Sequence, residues 1–188
     1  MRRSIHEIGM PTRHTLSAIV LPALLGILVS AFVATRIFEH YRAPAGEVRA
    51  APAGSTLPRA PLANLNTWHD EYQNVTKGKV LLVFITTDCD ACRKELVNAS
   101  QAAPCLASRV NVYGIGIEEP DTVKKFAEVN HIDLPMLWDH GAVMLRQLGF
   151  RLMPTKVLLQ DGVILKIWHG SSADNNALLR DIREVGTR

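Results

Sequence analysis

Two cysteines three residues apart, Cys89 and Cys92 in Cys-Asp-Ala-Cys, are the residues of this chain best suited to chemistry. Such a pair can interconvert between dithiol and disulfide, contribute to a metal site, or form an inert bridge. The surrounding sequence discriminates among these. Val80 to Ile85 is an unbroken apolar run that predicts a strand buried on both faces. A short polar turn follows, and good helix formers begin at Asp90. Cys89 thus falls at a helix entrance and Cys92 one turn inside, a spacing that lets the two sulfurs meet. Unpaired N–H groups and the macrodipole at a helix N-terminus favour an anion, so Cys89 is expected to ionise more readily than a free thiol. That makes Cys89 the attacking sulfur and Cys92 the resolving one in thiol–disulfide exchange.

The rival readings need more than the sequence supplies. Zinc requires two further ligands, available only as Cys105 with His69, His131, His140 or His169, and there is no second Cys-x-x-Cys. A structural bridge remains the blander alternative. Asp88 and Asp90 oppose a thiolate at Cys89, whereas the helix terminus and Arg93 favour it. A thiolate so weakly supported points to a reductant; Asp88 can equally serve as the helix N-cap. Cys105 is expected to be a buried free thiol, with a third redox-active thiol as the alternative. Thr86, three residues before Cys89, is part of a peroxiredoxin signature, but Leu82 stands where that signature needs proline. A peroxide-reducing site is therefore not expected.

The remainder of the chain must carry and position this pair. Its 188 residues suffice for one ordinary domain and an appendage. The net charge of +3 is unevenly placed: residues 1–63 carry seven Lys/Arg against three acids, and residues 64–188 fourteen against fifteen. The basic balance belongs to the N-terminal segment and argues for no nucleic-acid partner. Residues 1–15 form a polar head. Residues 16–38 contain an uncharged stretch, Leu16 to Thr35, long enough for a helix to cross a bilayer. A cleaved signal peptide is the competing reading, on Val29-Ser30-Ala31. Residues 39–63, rich in Ala and Pro, read as a tether that builds no core. The globular domain is expected over 64–188.

Within that domain the patterning predicts a short helix at Thr67–Asn74, the strand at Val80–Thr86, and a helix from Asp90 to about Ala103, broken or kinked by Pro104. A strand at Val110–Ile117, a helix from Pro120 to Asn130, an extended piece at Pro135–Trp138 and a helix at Ala142–Leu148 follow. Strands at Lys156–Leu159 and Val163–Trp168 flank Gln160-Asp161-Gly162, a hairpin signal, and Ser172 can cap a last helix through Val185.

This order, with Cys89-Asp-Ala-Cys92 and Met153-Pro154-Thr155 immediately before the hairpin, resembles the thioredoxin superfamily, and the anchor, tether and insertion at 111–138 resemble its membrane-anchored TlpA/ResA-like branch. The resemblance covers residues 64–172 and implies a thioredoxin-like three-layer α/β/α sandwich behind a single N-terminal transmembrane helix. It also implies that Pro154 is cis and faces the dithiol, that Met153 and Pro154 line the substrate site with support from Thr155, and that Glu118, or next to it Glu119, is an acid near the active site. If buried beside Cys92, Glu118 would accept its proton; the alternative is an exposed acid that opens the following helix. Three departures stand out. Asp88 replaces the usual Trp, Asp90-Ala91 lacks the usual Pro, and the N-terminal hairpin is shortened to Asn64–Lys79.

The implied function is that of a membrane-tethered protein-disulfide reductase, needing no cofactor, with catalytic Cys89, Cys92 and Glu118. Its expected partners are exported cysteine-containing clients, such as those of cytochrome c maturation or copper-site assembly, a membrane electron donor, and the bilayer through residues 16–38. Its expected place is the bacterial inner membrane, single-pass, with the C-terminal domain in the periplasm or outside. The alternative is a thioredoxin-fold binding module, a client chaperone or copper binder, without turnover.

Overall fold

The computed structural model describes residues 51–185 and the single position Ser30. The expected head, anchor and first part of the tether, Ser30 aside, lie outside the described residues. Among the described residues no helix is long and apolar enough to cross a membrane.

The central strand β2 runs Lys79–Ile85. Its side chains alternate between two cores, Leu81, Val83 and Ile85 on one face and Val80, Leu82 and Phe84 on the other. All six are fully buried, so the apolar run is explained by a strand covered on both sides. β2 pairs parallel with β3 (Asn111–Gly116), which pairs parallel with β4 (Met136–Asp139). On its other side β2 pairs antiparallel with β5 (Thr155–Gln160), which continues into the antiparallel β6 (Val163–His169). The short β1 (Leu62–Asn64) lies antiparallel to β4, giving the sheet order β1-β4-β3-β2-β5-β6. Asp161 and Gly162 join β5 to β6 with φ of 49° and 76°, the doubly left-handed turn that fits a two-residue hairpin.

The helices are α1 (Tyr72–Val75), α2 (Asp90–Leu106), α3 (Pro120–Val129), α4 (Val143–Leu148) and α5 (Asn175–Val185). Leu96 and Ala99 of α2, Val123 of α3 and Leu178 and Ile182 of α5 fill one face of the sheet. Met144 and Leu148 of α4, Val75 of α1 and the segment before β1 fill the other. The result is the three-layer α/β arrangement expected for the domain.

Four local expectations are corrected. The last part of the predicted tether is packed rather than free: Ala51 N–H donates to Leu148 O at 3.0 Å, Gly54 N–H to Ile164 O at 2.7 Å and Leu57 N–H to Gly162 O at 2.8 Å. Leu57, Ala60 and Leu62 are buried there, because a segment too apolar-poor to build a core can still cover one that exists. The helix predicted at Thr67–Asn74 shrinks to α1, and Trp68 sits before it with φ of 59°, 58 % exposed. α2 passes through Pro104 to Leu106, since Pro104 lies on its solvent side while Ala102 and Leu106 hold the last turns in the core. Ser172 does not cap α5; Asp174 Oδ1 accepts the Ala177 N–H at 2.8 Å, and Ser172 turns inward to α2.

Candidate dithiol site

β2 ends at Ile85, and a short turn delivers Cys89 as the N-cap of α2, in extended conformation with φ −111° and ψ 110°. The capping group is the cysteine itself: Cys89 Sγ accepts the Cys92 N–H at 3.1 Å. This corrects the reading of Asp88 as N-cap, since a first-turn N–H that a carboxylate would have taken is aimed at the Cys89 sulfur instead. Cys89 is partly exposed, Cys92 is buried behind it, and both are free thiols. The outer sulfur is reachable by a partner and the inner one only through it.

Burial pushes the Cys92 thiol from its ordinary 9.0 up to about 12, reinforced by its hydrogen bond with Cys89 and by the charge there, while hydrogen bonds from the backbone and side chain of Thr86 act the other way. Thr86, singled out for its spacing from Cys89, thus acts on Cys92. Arg93, expected to favour the thiolate, pairs instead with Asp90 at 3.4 Å on the surface. Glu118 is brought to the loop that precedes Cys89, where its Oε1 accepts the Thr87 N–H at 2.8 Å. Its Oε2 is buried without a hydrogen-bond partner. Glu119 is exposed and caps α3 by position only.

The Met153–Pro154 peptide is cis. Phe84 of β2 pairs with Thr155 of β5, the last pair of that ladder, so the cis peptide immediately precedes β5 at the end of β2 that leads to the cysteines. Met153 and Cys89 both pack on the core cluster that contains Cys92. Thr155 is fully buried, and its hydroxyl donates to Leu152 O at 2.6 Å. That uses its one proton, so the 2.9 Å contact to His169 Nδ1 must be a bond donated by the imidazole. His169 therefore braces the turn that holds Pro154. Cys105 is exposed, not buried, at the far end of α2.

Sequence reasoning missed Glu95 and Lys156. Glu95 lies on the buried stripe of α2 with Cys92, Leu96 and Ala99, and Lys156 is the one charge in the strand Thr155–Leu159. Two opposite charges, each out of place on an apolar face, were the available signal.

The sequence profile of the AhpC/TSA family matches residues 54–167. Comparison with curated proteins finds no match. Among solved structures, a proposed thiol:disulfide interchange protein DsbE from Chlorobium tepidum superposes with a TM-score of 0.65 at 21 % identity, over 72 % of this chain and 99 % of its own. The thioredoxin domain of a thiol-disulfide oxidoreductase from Bacteroides vulgatus gives 0.63 at 17 %, over 72 % and 98 %. A peroxidoxin, BcpB, from Mycobacterium tuberculosis gives 0.60 at 21 %, over 72 % and 96 %. At such identities the likeness is one of fold, and the fold is thioredoxin-like. The matched residues cover most of the chain and include β2, the cysteine pair, the cis-proline segment and most of the hairpin, so this chain belongs to the AhpC/TSA family.

Proposed function

We propose that the chain is a thiol–disulfide oxidoreductase of the membrane-anchored TlpA/ResA-like kind, tethered by residues 16–38 and reducing disulfides of exported proteins. The observation that carries the reading is the pairing of a partly exposed Cys89, capped by the Cys92 N–H at 3.1 Å, with a buried Cys92. Cys89 thiolate attacks a client disulfide, forming a mixed disulfide and releasing one client thiolate. Cys92 then loses its proton and attacks the Cys89 sulfur, forming the Cys89–Cys92 disulfide and releasing the second client thiolate. Two electrons pass to the client, and a membrane electron donor restores the dithiol. Glu118, with a buried oxygen free of partners, is the acceptor for the Cys92 proton. Met153 and Pro154 form the rim that receives the client backbone, and the buried Thr155 supports it from below.

Exchange is favoured over peroxide reduction because the second sulfur stands one turn from the first and because Thr86 acts on Cys92. The alternative is a binding module that holds a client or copper at the same rim without turnover. Incubating the full chain in thiol buffers of graded potential tests the proposal. Two-electron interconversion that survives Cys105→Ser supports it. A pair that never oxidises and instead holds copper stoichiometrically would replace it with the binding module.

A further inference from the structure

Glu95 and Lys156 form a buried ion pair between α2 and the sheet. Lys156 Nζ lies 2.9 Å from Glu95 Oε1, with side chains 3 % and 0 % exposed respectively. Every polar atom is used. Lys156 also donates to Gly170 O at 3.0 Å and to Ser172 Oγ at 2.9 Å. Ser172 donates from its hydroxyl to Glu95 Oε1 at 3.1 Å and from its backbone to Glu95 Oε2. Asn98, one turn along α2 from Glu95, donates to Ser172 O at 3.3 Å.

A buried pair of this kind is poor evidence for stability, because desolvating two charges offsets most of their attraction and an apolar pair of similar volume does as well. Its placement suggests another role. Glu95 stands one helical turn after Cys92 on the buried face of α2. Lys156 opposes Val83 of β2 and stands two residues after the cis Pro154. The loop at Ser172 closes the third side, and Gly170 N–H returns to Pro154 O at 2.8 Å. The network therefore joins the helix that carries the sulfurs to the strand that carries the cis peptide.

Resting on the dithiol-exchange reading, we propose that Glu95 and Lys156 are positioning residues. Their ion pair holds the turn bearing Cys92 against the strand leaving Pro154, and their mutual neutralisation keeps a lone charge out of the field of the sulfurs. The reduced pair carries negative charge as thiolate and the disulfide carries none. A lone buried cation therefore favours the dithiol, and a lone buried anion the disulfide.

The test uses the full-length chain with Glu95→Gln, Lys156→Met and the double variant. Two quantities are read: the exchange equilibrium against a glutathione buffer, and the rate at which Cys92 resolves a mixed disulfide preformed on Cys89. Glu95→Gln should move the equilibrium about tenfold toward the dithiol and Lys156→Met about tenfold toward the disulfide, each equal to about 30 mV for this two-electron couple. The double variant should return the equilibrium to within about twofold of native and slow resolution by about tenfold or more, since misplacing reacting groups by about 1 Å can cost up to about a hundredfold. Single variants that shift together or not at all, with a double variant that resolves at the native rate, would overturn the proposal. Should a single variant fail to fold, the double variant, which leaves no charge unpaired, decides by its resolution rate alone. A native chain that exchanges with no thiol buffer refutes the function itself; a native chain that exchanges while all three variants match it refutes only the positioning role.

Discussion

At the scale of residues, the division of labour between the sulfurs follows from depth. Cys92 holds its proton up to about 12 because it is buried and hydrogen-bonded to Cys89. Folded and unfolded reduced protein both keep that proton below about 9, and between about 9 and about 12 only the folded state keeps it. The unfolded state then binds fewer protons, so stability of the reduced form should fall with pH across that window. Denaturant midpoints of reduced native protein should decline there, and those of Cys92→Ala should lack that component; parallel curves would deny the burial of the thiol. A thiol so reluctant to ionise needs an acceptor at neutral pH. Glu118→Gln keeps a carbonyl oxygen for the Thr87 N–H and removes the base, so resolution at pH 7 should slow by about tenfold or more. Unchanged kinetics across the pH range would leave Glu118 with its structural bond alone. The pair itself was legible in sequence, because Cys-x-x-Cys after an apolar run has few other uses. The buried charges were legible only as oddities, because a lone Lys156 in an apolar strand does not say that Glu95, 61 positions away, faces it.

Among the elements, the close fit of α3 on β3 holds the acid-bearing turn in place. A Cβ on Gly116 would come within 2.5 Å of both Val123 methyls, and one on Gly114 within 2.4 Å of Met136 Sδ. Gly116 ends β3, two residues before Glu118, and Val123 is fully buried in α3. Gly116→Ala should therefore destabilise the protein by about 1–3 kcal/mol, the usual range for overpacking, and slow exchange beyond what stability explains by shifting Glu118. Gly114→Ala meets the flexible end of a methionine and should disturb exchange less. Urea midpoints and exchange rates of the two variants check this, and equal effects would contradict it. The strands were readable because burial on both faces and the Asp161-Gly162 turn leave clear patterns. Pro104 and Ser172 misled because tertiary contacts outweighed a strong local preference: burial of Ala102 and Leu106 around Pro104, and bonds to Glu95 and Lys156 at Ser172.

For the molecule as a whole, the domain begins earlier than composition suggests. Leu57, Ala60 and Leu62 are buried although the segment around them reads as linker. A fragment beginning at residue 64 should be less stable than one beginning at residue 51 by several kcal/mol, since each buried leucine contributes roughly 1.5–3 kcal/mol. Matching urea midpoints would return the segment to the tether. The central claim, that Cys89 attacks client disulfides and Cys92 releases them, is tested most directly by removing the release step. The full chain with Cys92→Ala, expressed in bacteria, should accumulate covalent complexes with client proteins. These should disappear on reduction and be absent from the Cys89→Ala/Cys92→Ala variant. If folded Cys92→Ala traps nothing, or if the complexes persist without Cys89, the account of this site as an exchange enzyme is contradicted.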